Sequence, residues 1–97
     1  MKVQNMIGKN GRAIPNQFII ENCNITIDNK SLTGEMFQSY NNNIAFTNGN
    51  NITLLDKTYW DYSTTTGKYR NIFLNESKAE TQKKIDSGEY KLVNLNN

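Results

Sequence analysis

The chain has 97 residues, a formal net charge of +2, 36% hydrophobic and 10% aromatic residues. That length leaves room for one core, read as a single domain over residues 1–97, and the composition excludes a disordered chain. With no His and one Cys, the usual general base, zinc ligand, pH switch and internal disulfide are excluded together.

Lys2 to Ile7 reads as a short strand. Gly8 to Gly11 follows as a hairpin turn, with Asn10-Gly11 expected to supply the positive φ angles. Pro15 lacks a backbone N–H and marks an edge or a bulge. Asn16 to Glu21 is an apolar run of strand length. Asn24 to Ile27 alternates, which puts Ile25 and Ile27 on one face. Asp28 to Gly34 is a loop by composition. Glu35 to Tyr40 and Ile44 to Phe46 flank a turn at Asn41-Asn42-Asn43. Thr47 to Asn51 is a further turn, and Ile52 to Leu55 a strand. Neighbouring strands of this kind pair as an antiparallel meander.

The period then changes. Ser63 is placed to cap a helix on which Tyr69, Ile72 and Phe73 share a face. Ser77-Lys78-Ala79-Glu80 is a capping box, Glu80 and Lys84 stand at i,i+4, and Ser87-Gly88 supplies the C-cap. Ala79 and Ile85 are that helix's only apolar anchors. Glu89 to Leu95 is a last strand. The class is α+β: a small antiparallel meander of five or six short strands, two short helices, and a C-terminal strand that can rejoin the sheet.

The chemistry is sparse. Gly67-Lys68 resembles the end of a phosphate loop, but the first glycine of that pattern would fall on Tyr62, and Tyr69 stands where Ser or Thr belongs. Five residues separate Ser63 from Lys68, which keeps them off one helical face as a nucleophile–base pair. Cys23 adjoins an apolar run and reads as a half-buried thiol. The nine acids are scattered without metal-ligand spacing. No catalytic residue, cofactor or metal is therefore assigned, and the chain reads as a non-enzyme. The segment Tyr59 to Leu74 interleaves rings with Lys68 and Arg70. Such a pattern suits either a stacking platform for single-stranded nucleic acid or the core of a small domain. The core reading is preferred, with Phe37, Trp60, Tyr62, Tyr69 and Phe73 inside. Lys68, Arg70, Lys78, Lys83 and Lys84 are the candidate partner-binding residues. No segment approaches membrane-spanning length, and no apolar run of signal-peptide length opens the chain.

Phe37-Gln38-Ser39-Tyr40, Ile44-Ala45, Leu55-Asp56, Trp60-Asp61-Tyr62-Ser63, Thr65-Thr66, Lys68-Tyr69, Phe73-Leu74 and Leu95-Asn96 carry a resemblance, with Asn16-Gln17-Phe18 before them. Through them most of the chain resembles a domain of unknown function. That domain is found in small proteins of bacteriophages, including gut crAss-like phages, and of plasmids of low-GC bacteria. The resemblance implies an origin in a mobile element and a place in the cytoplasm of a bacterial host. It transfers no catalytic residue. Small proteins of such elements often inhibit host machinery. The expected function is thus a binding module that blocks a host defence protein such as a CRISPR nuclease, as an anti-CRISPR protein does. The alternatives are a nucleic-acid-binding accessory protein and a minor virion protein.

Overall fold

A computed structural model, which describes residues 1–49 and 51–96, realises the strand periodicity of the first half as five consecutive strands. They are β1 (Lys2–Ile7), β2 (Ala13–Ile27), β3 (Lys30–Ser39), β4 (Asn42–Thr47) and β5 (Thr53–Asp56). Helices α1 (Thr64–Leu74) and α2 (Lys78–Asp86) follow, and β6 (Lys91–Val93) is the last element. The sheet order is β1-β2-β3-β4-β5-β6. Each neighbour in the meander is antiparallel, and β6 rejoins the sheet parallel to β5. A parallel neighbour needs a crossover, and the two helices supply it. The architecture is the expected α+β one.

Several local expectations are corrected. Asn16–Glu21 and Asn24–Ile27 are not separate strands but parts of β2. Between Ile20, paired with Met36, and Cys23, paired with Gly34, Glu21 and Asn22 stand opposite Glu35 alone. Asn22 takes up this bulge with φ 52°. The extra residue keeps Ile20 and Cys23 on one face although they are three apart. Asp28–Gly34 is not a loop, because Asp28 and Asn29 (φ 51° and 65°) make a two-residue turn by themselves. Asp and Asn tolerate the left-handed region, so the strands need nothing longer. In the first turn only Gly11, not Asn10, has positive φ. The next hairpin turns at Tyr40-Asn41, leaving Asn42 and Asn43 in β4. Pro15 does lie at an irregularity, where pairing with β1 jumps from Phe18 to Ala13. Asn50, part of the expected Thr47–Asn51 turn, lies outside the described residues.

In the central strands successive residues are buried on opposite faces, except at Ile44 and Ala45, where an irregularity in the pairing with β3 keeps both in one cluster. Phe37, Ala45 and Leu55 belong to one apolar cluster with Met6, Ile44 and Tyr90. Their neighbours Met36, Phe46 and Leu54 belong to another with Ile20 and Cys23. This is why the strands read as unbroken apolar pairs rather than as alternation. Trp60, Tyr69, Phe73, Leu74 and Ile85 cover the first cluster from the helical half. The second is covered by the far end of the β2–β3 hairpin, through Ile25, Ile27 and Leu32, and by Ile52, Val93 and Leu95. No helix among the described residues is long and apolar enough to cross a membrane.

Candidate functional site

Helix α1 begins where Ser63, in extended backbone (φ −152°), accepts a hydrogen bond from the Thr66 N–H at 3.1 Å. It ends at Asn75, whose left-handed φ of 56° lets its own N–H reach back to the carbonyls of Asn71 and Ile72. Thr66 and Arg70, one turn apart, face inward. The Thr66 hydroxyl lies 3.1 Å from that of Ser39 on β3, which ties the helix to the sheet. The positive end of the helix dipole is left without an acid in its first turn.

Beside this helix start is a cavity of about 620 Å³ lined by Asp61, Ser63, Gly67, Lys68, Arg70, Asn71 and Lys78, among others. Arg70 is its most constrained member, with a side chain only 1% exposed. Nη1 donates to the Trp60 carbonyl at 2.6 Å and lies 3.5 Å from Asp61 Oδ1. Nη2 donates to Asn71 Oδ1 at 2.9 Å. Nε is buried without an acceptor. The guanidinium also stacks over the Trp60 ring, 5.1 Å from its centroid. Burial pulls the Arg70 guanidinium below its ordinary value, and Asp61 and, more weakly, Glu76 oppose that. Asp61 is shared, with Lys78 Nζ 2.7 Å from its Oδ2.

The candidate partner residues therefore divide. Lys68 and Lys78 are exposed and meet at this cavity. Lys83 is exposed on α2. Arg70 is corrected: it is an interior residue, because Thr66 and Arg70 carry the inward face of α1. Lys84 is half-exposed, but its ammonium is engaged within the molecule. It does not pair with Glu80, whose carboxylate closes the capping box on the Ser77 N–H at 2.9 Å. It reaches Glu76 instead, at 2.7 Å. Glu76 further accepts from the Thr81 hydroxyl at 2.6 Å and the Tyr90 hydroxyl at 2.9 Å. Burial opposes ionisation of Glu76, but the hydrogen bonds from Lys84, Thr81 and Tyr90 outweigh it and hold the carboxyl below its ordinary value.

The aromatic residues divide too. Phe37 is fully buried and stacks on Phe73, ring centroids 5.8 Å apart. Trp60, Tyr69 and Phe73 are half-buried against the same cluster. Tyr62 is corrected: it is 65% exposed, with its ring edge-on to Tyr59 at 5.4 Å, because it precedes the helix rather than lying on its inward face. Of the two expected anchors of α2, Ile85 packs on the core and Ala79 is exposed.

Asp56, named in the sequence only within the Leu55-Asp56 motif, has a structural role. It is 1% exposed at the end of β5. Oδ2 accepts from the N–H groups of Thr58 and Tyr59 at 3.0 and 2.9 Å, and Oδ1 from the Leu95 N–H at 2.8 Å. The Asn96 side chain exchanges two hydrogen bonds with the Asn43 backbone, at 2.8 and 2.9 Å. These contacts border a second cavity of about 620 Å³, rich in Asn and lined by Asp56, Thr58, Asn94 and Asn96. The local signal was present: an Asp two and three residues before unpaired N–H groups is an Asx turn. The long-range bond to Leu95 had none.

Searches of curated proteins and of solved structures found no match. One family model matches residues 1–89, which is nearly all of the strand and helix framework and stops short of β6. The chain belongs to that family, described as a family of unknown function, DUF8033.

Proposed function

We propose that this protein is a non-catalytic binding module encoded by a phage or plasmid, and that it acts by docking on a host defence protein, a CRISPR nuclease being the leading candidate. One observation carries the docking surface. Helix α1 presents Lys68 and, one turn later, Ile72 to solvent, the isoleucine 56% exposed, and Lys78 stands across the cavity from Lys68. An exposed large apolar side chain flanked by cations suits a partner surface of apolar and acidic character. The absence of His and of any nucleophile–base spacing in the sequence supports binding rather than catalysis. The mobile-element origin rests on the resemblance carried by the Trp60–Ser63 and Phe37–Tyr40 motifs.

The test compares the parent with Lys68→Glu/Ile72→Asp. Both positions are exposed, so melting temperature should stay nearly the same, within ~0.5 kcal/mol in stability. The parent should inhibit a member of a panel of host defence nucleases, and the double variant should lose at least about tenfold in potency. A parent inactive on every nuclease that shifts single-stranded DNA with a steep salt dependence would replace this reading with the nucleic-acid one.

A further inference from the structure

The cavity at the start of α1 is unbalanced in charge and in hydrogen bonds, and both imbalances have the same sign. Three cations line it, Lys68, Arg70 and Lys78, against one carboxylate, Asp61. Asp61 lies closer to Lys78 (2.7 Å) than to Arg70 (3.5 Å), so its charge is spent mainly on the lysine. The other contacts of the Arg70 guanidinium are neutral, a carbonyl and an amide oxygen. Lys68 makes no ion pair among the described residues; its ammonium lies 5.3 Å from the centre of the Tyr69 ring. The first turn of α1 adds the N–H groups of Thr64 and Thr65, that of Thr66 being taken by Ser63, and no acid.

Arg70 turns this from a property of a helix end into a site. The guanidinium touches other lining residues. It contacts Asp61 and Asn71, and Nη1 and Nη2 both lie 3.7 Å from the position a Gly67 Cβ would take. Gly67 adds no side chain between the guanidinium and the cavity, although the Arg70 side chain is only 1% exposed. Its Nε–H is buried and unpartnered, and a buried donor without an acceptor is costly. Arg's planar fork matches oxyanion geometry.

We infer that this cavity binds a dianionic phosphate group, held by Lys68, Lys78 and the N–H groups of Thr64 and Thr65, with the charge of the buried Arg70 guanidinium behind them. Two negative charges match the excess of three cations over one carboxylate. Asp61 is the resident competitor, holding Lys78 and Arg70 until the phosphate arrives. The inference goes beyond the docking reading and does not depend on it, since the isolated protein should bind the ion whether or not it inhibits anything.

The experiment is a proton–nitrogen NMR titration of the whole chain at pH 7.5 and constant ionic strength. It follows the Arg70 Nε–H resonance and the amides of Thr64 to Thr66, with inorganic phosphate, phenyl phosphate and sodium chloride as probes. At least one phosphate probe should shift these resonances along a saturating curve, and chloride should not. Saturation by inorganic phosphate alone identifies the free ion as the ligand. Saturation by phenyl phosphate alone, or tighter, identifies a phosphate monoester. Lys68→Ala and Lys78→Ala should each weaken binding about tenfold, and Asp61→Asn should tighten it. No saturation with either phosphate, shifts reproduced by chloride, or unchanged binding in both lysine variants would overturn the inference. Arg70 itself is left in place, because its removal empties an interior position.

Discussion

Two glycines with ordinary backbone angles show how much depends on what a single missing methyl faces. A Cβ on Gly34, in β3, would run into the Thr47 carbonyl oxygen and the Asn48 Cα of the adjoining strand end. Backbone cannot swing aside as a side chain can, so Gly34→Ala should cost about 2–3 kcal/mol. A Cβ on Gly67 meets nothing nearer than 3.7 Å. Gly67→Ala should therefore stabilise the protein by about 0.5–1 kcal/mol through helix propensity alone. Denaturant melts of the two variants check both signs, and a loss of stability at position 67 would show that the guanidinium cannot tolerate the methyl. Glu76 gives the pH dependence. Its folded carboxyl titrates below the ordinary range, so its stabilisation is present above the unfolded value of about 4.3 and is lost as pH falls through the folded one. Glu76→Gln should lower stability by about 2 kcal/mol at pH 7. The gap to the parent should close on acidification below about pH 5, and melting curves through the acid range decide it. Gln17 marks where residue-level reading stops. It is 1% exposed with its amide unpartnered, and no local pattern in "PNQFII" distinguishes it from a surface glutamine.

At the scale of elements, what local chemistry dictates was legible and what partners dictate was not. Ser63 and Ser77 were readable as caps because capping is decided within four residues, and the Ser77–Glu80 box closes in both directions. The strands of the meander were readable because their apolar runs are bounded by Asn and Gly. The merging of two expected strands into β2 was not, because a bulge at Glu21-Asn22 is stabilised by the strand opposite rather than by its own residues. Arg70 was misread for a related reason. Charge predicts exposure only where no acceptor meets the charged group at a buried position, and the Trp60 carbonyl and the Asn71 side chain meet Arg70 there. The loop from β5 to α1 gives the sharpest element-level test. Asp56 accepts three backbone N–H groups, two from the loop and one beyond β6. Asp56→Ala should cost about 3 kcal/mol or more, since hydrogen bonds to a charged acceptor are the stronger kind and their donors would be left buried. Hydrogen exchange should show the loss first at Thr58, Tyr59 and Leu95. Unchanged protection at Leu95 would mean that the last segment is held by Asn43 and Asn96 instead.

For the molecule as a whole, the sheet is the shared wall of two cores, and the helices serve only one of them. The parallel pairing of β6 with β5 has a kinetic consequence. Every other strand finds its partner across a turn, but β6 can reach β5 only after residues 57–90 have been laid across one face. Closing so long a span is entropically slower than closing a hairpin. The meander should form in the rate-limiting step, and β6 should dock after it. Val93, half-buried against the second core, reports on that order. In stopped-flow measurements Val93→Ala should leave the refolding rate almost unchanged and put nearly all of its destabilisation into faster unfolding, whereas Ala45→Gly in the meander should slow refolding. Until β6 arrives, one side of β5 offers bare backbone to any strand that passes. The interval between hairpin closure and crossover is therefore when this chain is most open to pairing with a second copy of itself.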